Sequence, residues 1–149
     1  MSVIKNKTLV SKEEVALMQL EDAIELFNSK RFHSAITLAG AAEEILKKLL
    51  QQHYSAQNIL MASAEEIEAD MFKMYKNILG IKNYHIHRNE IKNELKHHGR
   101  IYNKNNITAD FKEICLIHLS GAIMNYQIVH NHVPRIKIIV EFCKEIGIS

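Results

Sequence analysis

Residues 31–54, RFHSAITLAGAAEEILKKLLQQHY, form the longest uninterrupted helical pattern in the chain. Apolar or small side chains recur at intervals of three and four residues, which is the spacing of one face of an α-helix. They are Ala35, Leu38, Ala39, Ala42, Ile45, Leu46 and Leu49. The first half of the stretch is rich in alanine and glycine, which let neighbouring helices approach, and the second half supplies bulky leucine and isoleucine. The stretch therefore predicts a helix at the centre of a bundle.

Length and composition favour one all-helical domain. At 149 residues the chain can bury a core without disulfides or metals. Its one proline and five glycines supply few of the turns that many strands would need, and they favour long helices. No internal repeat or low-complexity tract divides the chain. The sequence therefore predicts a single domain over residues 1–149, with residues 1–10 as an N-terminal tail.

Two capping boxes predict helices on either side of the central stretch. Ser11 and Glu14 fit the first box and predict a helix that ends near residue 29, so that it pairs with the central helix as an antiparallel hairpin. Ser63 and Glu66 fit the second box and predict a third helix, with Gly80 as the residue that stops it.

Three further helices are predicted in the second half of the chain. One covers roughly residues 83–98 and is followed by a basic, asparagine-rich loop over residues 100–107. Thr108 is predicted to cap a fifth helix, and Pro134 to stand at the first position of a last helix that Gly147 ends. Together these elements predict an all-α, up-and-down bundle of five to six helices.

Apolar residues surround most of the predicted fifth helix, which is more than one core-facing side needs. They are Phe111, Ile114, Cys115, Leu116, Ile117, Leu119, Ile123, Tyr126 and Ile128. Such an excess on an outer helix is typical of a subunit interface. The sequence therefore predicts a homodimer in which this helix takes part.

The cysteines and the N-terminus favour a cytoplasmic protein. Cys115 and Cys143 each lie in an apolar helical pattern without CxxC spacing, which predicts buried free thiols. No apolar run reaches the length of about 18 residues that a transmembrane helix needs. Residues 1–10 lack the apolar core of a signal peptide. We therefore expect a protein that does not enter a membrane.

Acidic and basic residues are unevenly distributed along the chain, although the net charge is only +2. Residues 43–70 hold six acids against two lysines, whereas residues 71–104 hold eight Lys or Arg against two Glu. This split can give the molecule an acidic and a basic face. The solvated faces of ordinary helices are the alternative explanation.

Histidine is unusually frequent, with nine residues, but its spacing does not favour a metal site. Helical metal sites need ligands three or four residues apart, and His85 and His87 point away from each other on a helix. No HExxH, cysteine pair or carboxylate trio accompanies them, and no Gly-rich phosphate loop or GxSxG occurs. The sequence therefore predicts no metal and no cofactor; a metal-dependent enzyme, with His97 as the third ligand, is the least favoured alternative.

Residues 88–100, RNEIKNELKHHGR, include most of the predicted fourth helix, which has one apolar side and a basic remainder. Ile91 and Leu95 form the apolar side. Histidine changes charge near neutral pH, so that a histidine among fixed cations suits general acid–base catalysis on a phosphodiester. The cations would stabilise the charge of the transition state. A basic helix face that is merely solvated is the alternative interpretation.

Two short stretches resemble the HEPN superfamily of small helical domains. Residues 39–47, AGAAEEILK, are similar to the A-x-x-E-x-x-L-K pattern of the family's long second helix, with Gly40 in the alanine position. Residues 92–97, KNELKH, are similar to the RNxxKH or RNxLKH pattern of a later helix. The family's arginine position is Lys92 here. The resemblance extends over about residues 11–145.

The resemblance implies a dimer that cleaves RNA without a metal ion, with arginine and histidine from both subunits in a shared cleft and the ribose 2′-OH as nucleophile. Carried over, His97 would be the general acid or base, Asn93 a polar orienter and Lys96 a phosphate contact. Lys92 keeps the charge of the arginine but not its planar fork, and Arg88 one turn earlier would substitute in part. Glu43 or Glu44 of the central helix would pair with these cations if the two helices pack together.

The sequence leaves two functions open, and with them the question of enzymatic activity. One is an RNA-directed, HEPN-like protein, a weak metal-independent endoribonuclease that acts as a dimer in a toxin or defence setting. Its candidate catalytic residues are His97, Lys92 and Asn93, and its candidate RNA-binding residues are Arg88, Lys96, Arg100 and Lys104. The other is a non-catalytic dimeric interaction module, because the family also contains inactive scaffolds and partners of nucleotidyltransferases.

Overall fold

The computed structural model describes residues 7–80, 88–96, 106 and 108–148. These residues form six α-helices and no strand, which confirms the predicted all-α bundle of five to six helices. None of the described helices is both long and apolar enough to cross a membrane. The helices are α1 (Lys12–Asn28), α2 (Phe32–Ala56), α3 (Met61–Leu79), α4 (Arg88–Lys96), α5 (Phe111–His130) and α6 (Lys137–Ile146).

The central position predicted for residues 31–54 is confirmed. They lie almost wholly in α2, which packs along α5 on one side and α1 on another, with α4 against it as well. Its buried residues are Ala35, Ile36, Ala39, Gly40, Ala42, Glu43, Leu46, Leu50 and Tyr54. Each large apolar side chain buried in this way contributes roughly 1.5–3 kcal/mol to the free energy of unfolding. The small residues of the first half bring the backbones of the neighbouring helices close to α2.

Helix α5 lies inside the bundle, contrary to its predicted position on the outside. Helices α1, α2, α3 and α4 all pack on it. Its buried residues are Ile114, Cys115, Ile117, His118, Leu119, Ser120, Gly121, Ala122, Ile123 and Asn125. Its apolar circumference is therefore largely explained within one chain, because several neighbours each need an apolar face. The homodimer stays a prediction, and it no longer follows from the composition of this helix.

The N-cap at Ser11 is confirmed, and the second capping box is wrong. The hydroxyl oxygen of Ser11 accepts a hydrogen bond from the backbone N–H of Glu14 at 3.0 Å. Helix α3 begins at Met61, so that Ser63 lies inside it rather than at its N-cap. The reason is tertiary packing, because Ala64 of the first turn is buried against Leu50 and Tyr54 of α2.

The start of α5 also differs from the prediction. Asp110, not Thr108, caps α5, and its carboxylate accepts a hydrogen bond from the backbone N–H of Glu113 at 3.0 Å. Aspartate is a stronger N-cap than threonine.

The start of α6 lies beyond the predicted proline. Pro134 is buried in the extended segment that leads to Lys137, the first residue of α6. The predicted stops are confirmed. Gly80 and Gly147 end α3 and α6 with φ of 65° and 85°, left-handed values that glycine adopts readily.

The two serines of the capping boxes form a matched pair for a stability test. Ser11→Ala is expected to lower the free energy of unfolding by about 1 kcal/mol, because the N–H of Glu14 loses its acceptor. Ser63→Ala is the control, since this exposed serine lies inside α3 and should change the value by less than about 0.5 kcal/mol. Urea unfolding followed by circular dichroism measures both. Equal losses would contradict the assignment of the caps.

The cysteines are buried and free, as predicted. Cys115 and Cys143 both belong to the main apolar core. Burial disfavours the charged thiolate and raises the pKa of Cys115 from 9.0 to about 12. The same cause raises the pKa of Cys143 to about 11. Both thiols therefore keep their protons in the folded protein at neutral pH.

These pKa shifts predict a loss of stability in alkali. Above pH 9.0, the ordinary pKa of the thiol, the unfolded chain releases protons that the folded chain retains. Since the unfolded state then binds fewer protons, the free energy of unfolding falls as the pH rises from about 9 towards 11. Urea unfolding between pH 8 and 10.5 measures this slope. The variant Cys115→Ala with Cys143→Ala should show a shallower slope, and an unchanged slope would contradict the prediction.

Candidate functional site

A cleft of about 830 Å³ lies between α2, α3, α4 and α5. It is lined both by the central helix and by the helix that carries the KNELK part of the basic stretch. The residues from α2 and α3 are Glu43, Glu44, Lys47, Lys48, Gln51, Glu65, Glu68, Ala69 and Phe72. Those from α4 and α5 are Lys92, Asn93, Gly121, Met124 and Asn125. The cleft is thus mixed in charge, with carboxylates, ammonium groups and amides on an apolar floor.

Lys92 is the buried cation of this cleft. Ile91 and Leu95 pack against the core as predicted, and they fix the orientation of α4. Only 6 % of Lys92 is exposed, and its ammonium group donates a hydrogen bond to a carboxylate oxygen of Glu44 at 2.5 Å. A buried charge needs such a partner, because desolvation without one is costly. The expectation that a glutamate of the central helix pairs with the basic stretch is confirmed for Glu44.

Gly40 makes room for this lysine. A Cβ atom at Gly40 would overlap Cδ of Lys92 and would lie 3.0 Å from its Cγ. The aliphatic stem of Lys92 therefore runs across α2 at the one point in this helix that has no side chain. The contact fixes both the separation of α2 and α4 and the path of the lysine.

Glu44 lies at the centre of a group of lysines. Its side chain is 52 % exposed, while that of Lys92 is only 8 % exposed. The hydrogen bond from Lys92 lowers the pKa of Glu44, and the charges of Lys92, Lys96 and Lys48 lower it further against the opposing effect of partial burial. The carboxylate is therefore charged at neutral pH.

The neighbouring residue, Glu43, points into the core instead. Its carboxylate oxygen lies 3.1 Å from Nδ1 of His118, which is wholly buried in α5. The side-chain amide of Asn125 donates to the backbone carbonyl of Glu43 at 3.4 Å. His118 was not among the predicted site residues, although a histidine inside an apolar helix needs a polar partner when it is buried. This requirement for a polar partner was the signal in the sequence that pointed to His118.

Of the predicted site residues, the structure brings three together. Lys92 and Asn93 line the cleft, and Lys96 is exposed in the last turn of α4, close enough to act on Glu44. Arg88 is the first residue of α4, and its side chain is not described. The other predicted residues, His97, Arg100 and Lys104, lie outside the described residues, as do His85 and His87.

One more ion pair belongs to the cleft. Lys47 of α2 pairs with Glu68 of α3, which links the two walls. Within the described ranges, no three His, Cys, Asp or Glu side chains are grouped so that they could hold a metal ion. The chemistry that the described part of the cleft offers is therefore that of ammonium, carboxylate and amide groups.

Comparison with known proteins finds no match for this chain among protein-family models, curated proteins or solved structures. The interpretation of the cleft therefore rests on its own residues and on the two stretches of the sequence that meet there.

The contact between Gly40 and Lys92 can be tested by a double-mutant cycle. Gly40→Ala is expected to lower the free energy of unfolding by about 1–3 kcal/mol, because the new methyl group overlaps the lysine stem. Without this overlap, the change from glycine to alanine would stabilise the helix by up to about 1 kcal/mol. In a Lys92→Ala background the same change should therefore be neutral or stabilising. Urea unfolding of the four proteins measures the coupling, and additive effects would contradict the contact.

Proposed function

We propose that this chain is an RNA-directed protein of the HEPN type, and that the cleft between α2 and α4 is where it holds RNA. One observation supports this function above the others. Residues 39–47 and residues 92–96, which carry most of the resemblance, are far apart in sequence and pack against each other in the fold. Two weak sequence patterns that meet in one cleft are stronger support than either pattern alone.

The two departures from the family pattern support the same function. Gly40 stands in the alanine position and Lys92 in the arginine position, and these two residues are in contact. The missing methyl group at Gly40 provides the space that the lysine stem occupies. The cation at the motif position therefore has room beside Gly40 and pairs with Glu44 of the facing helix.

The proposed reaction is metal-independent cleavage of the RNA backbone. The ribose 2′-OH gives up its proton and attacks the adjacent phosphorus, the P–O5′ bond breaks, and the leaving 5′-oxygen takes up a proton. The products are a 2′,3′-cyclic phosphate and a 5′-hydroxyl end. In this proposal His97 transfers the protons, Asn93 orients the substrate, and Lys96 with Lys92 stabilises the charge that develops on the phosphate.

A non-catalytic dimeric interaction module is the second candidate, and one observation favours it. Lys92 is buried and its charge is neutralised by Glu44, so that in this state it stabilises the contact of α2 with α4 rather than a substrate. A partner protein, such as a nucleotidyltransferase, would then be the ligand of this module.

Cleavage of a mixed RNA pool in EDTA distinguishes the two functions. We expect the purified protein to cleave RNA, and His97→Ala to lower the rate by about 100-fold or more, the usual contribution of acid–base catalysis. Lys92→Arg is expected to raise the rate, because guanidinium holds two phosphate oxygens. Thermal melting of each variant serves as the control for folding, since the larger arginine head must fit beside Gly40.

Equal RNA profiles from all three proteins would contradict the ribonuclease. Light scattering on the same samples gives the molecular mass. A dimer without cleavage would support the interaction module, and a monomer without cleavage would contradict both functions.

A further inference from the structure

Three ammonium groups act on one carboxylate in the cleft. Lys48 lies one turn after Glu44 on α2, and Lys96 lies one turn after Lys92 on α4, so that each helix presents two of these residues on one side. All three lysines lower the pKa of Glu44 through their charge, and Lys92 also donates a hydrogen bond to it. Such a set of cations around a single oxyanion has the composition of an anion-binding site that already holds an internal anion.

In the ion pair of Lys92 with Glu44, the lysine side chain is confined and the glutamate side chain can move. Lys92 is 6 % exposed, and its stem is confined against Gly40. Glu44 has a side chain that is 52 % exposed, on the open side of the cleft. Rotation of its side chain can therefore take the carboxylate into water, whereas the ammonium group stays in place. An ammonium group left in this way is poorly solvated and needs another anion.

A phosphodiester is the anion that fits this position. It carries one negative charge, as the carboxylate does, so that it can replace Glu44 as the partner of the Lys92 ammonium group. The side chain of Asn93, next to the buried lysine, adds an amide donor at the cleft wall. Glu65 lines the opposite wall and repels further negative charge, whereas the charge of Glu68 is neutralised by Lys47. The site therefore suits one backbone phosphate of a nucleic acid rather than a triphosphate.

We propose that Glu44 is an internal competitor that occupies the binding site of one RNA backbone phosphate, and that RNA enters by displacing it from Lys92. This inference rests on the proposed function for the identity of the ligand. It goes further in assigning Glu44 as the group that restrains binding. The buried lysine then serves both states, as the partner of Glu44 without RNA and as the phosphate contact with RNA.

Glu44→Gln tests this inference with an RNA that cannot be cleaved. The probe is a fluorescein-labelled 2′-O-methyl oligouridine, whose affinity is measured by fluorescence anisotropy at several salt concentrations. Glu44→Gln should lower Kd by about 10-fold, because RNA no longer has to break the charge-assisted hydrogen bond between Glu44 and Lys92.

Two further variants separate the local contact from the general effect of removing a negative charge. Glu65→Gln changes an exposed carboxylate on the facing wall of the same cleft and should alter Kd much less than Glu44→Gln. Adding Lys92→Met to Glu44→Gln removes the cation that the phosphate would contact, so that the gain should disappear. Thermal melting confirms that each protein is folded.

The outcomes keep this inference apart from the proposed ribonuclease. Tighter binding by Glu44→Gln without cleavage of ordinary RNA by any variant would retain the phosphate site and contradict the enzyme. Cleavage by the unaltered protein, with equal affinities for Glu44→Gln and Glu65→Gln, would retain the enzyme and overturn the role of Glu44. A gain in affinity from Glu44→Gln that persists when Lys92→Met is added would also overturn the role of Glu44.

Discussion

The packing of α2 along α5 is the contact on which the rest of the bundle depends. Helices α1, α3 and α4 each pack on at least one of these two, and α6 packs on α1. Both helices bury small residues, which are Ala35, Ala39 and Ala42 in α2 and Gly121 and Ala122 in α5. Small side chains bring two backbones together, and the bulky residues around them then fill the remaining volume. A cleft can persist beside such a pair because its walls are rigid helices.

Two consecutive glutamates of α2 face different neighbouring helices. A helix turns by about 100° per residue, so that Glu43 reaches His118 in α5 while Glu44 reaches Lys92 in α4. Buried ionic groups are costly to desolvate and seldom improve stability over apolar residues of the same size. Their effect here is to fix which face of α2 meets which helix. The Lys92 pair differs in having one partner half in water, which gives it the freedom that a binding site requires.

Both proposed functions start from the same state of the cleft, in which Lys92 is paired with Glu44. While Glu44 neutralises the ammonium group of Lys92, the pair stabilises the contact of α2 with α4. In the proposed RNA-bound state Glu44 is displaced, and the ammonium group is a cationic binding site. A ribonuclease and a binding module differ in whether a proton-transferring group acts beside that site. His97, the group proposed for this role, follows directly after α4 and lies outside the described residues. The described residues thus include the proposed phosphate contacts, and the proposed chemistry depends on His97.

The sequence by itself determined the helical class, the central place of residues 31–54 and the N-cap at Ser11, because periodicity and capping depend on residues within a turn or two. It also indicated that a central glutamate would meet the basic stretch. Only the tertiary structure decided that α5 is interior, since an apolar circumference does not reveal how many helices surround it. The burial of Lys92 over Gly40 and the partnership of Glu43 with His118 were likewise decided there. These contacts join residues about 50 or more positions apart, and their pairing depends on how whole helices pack.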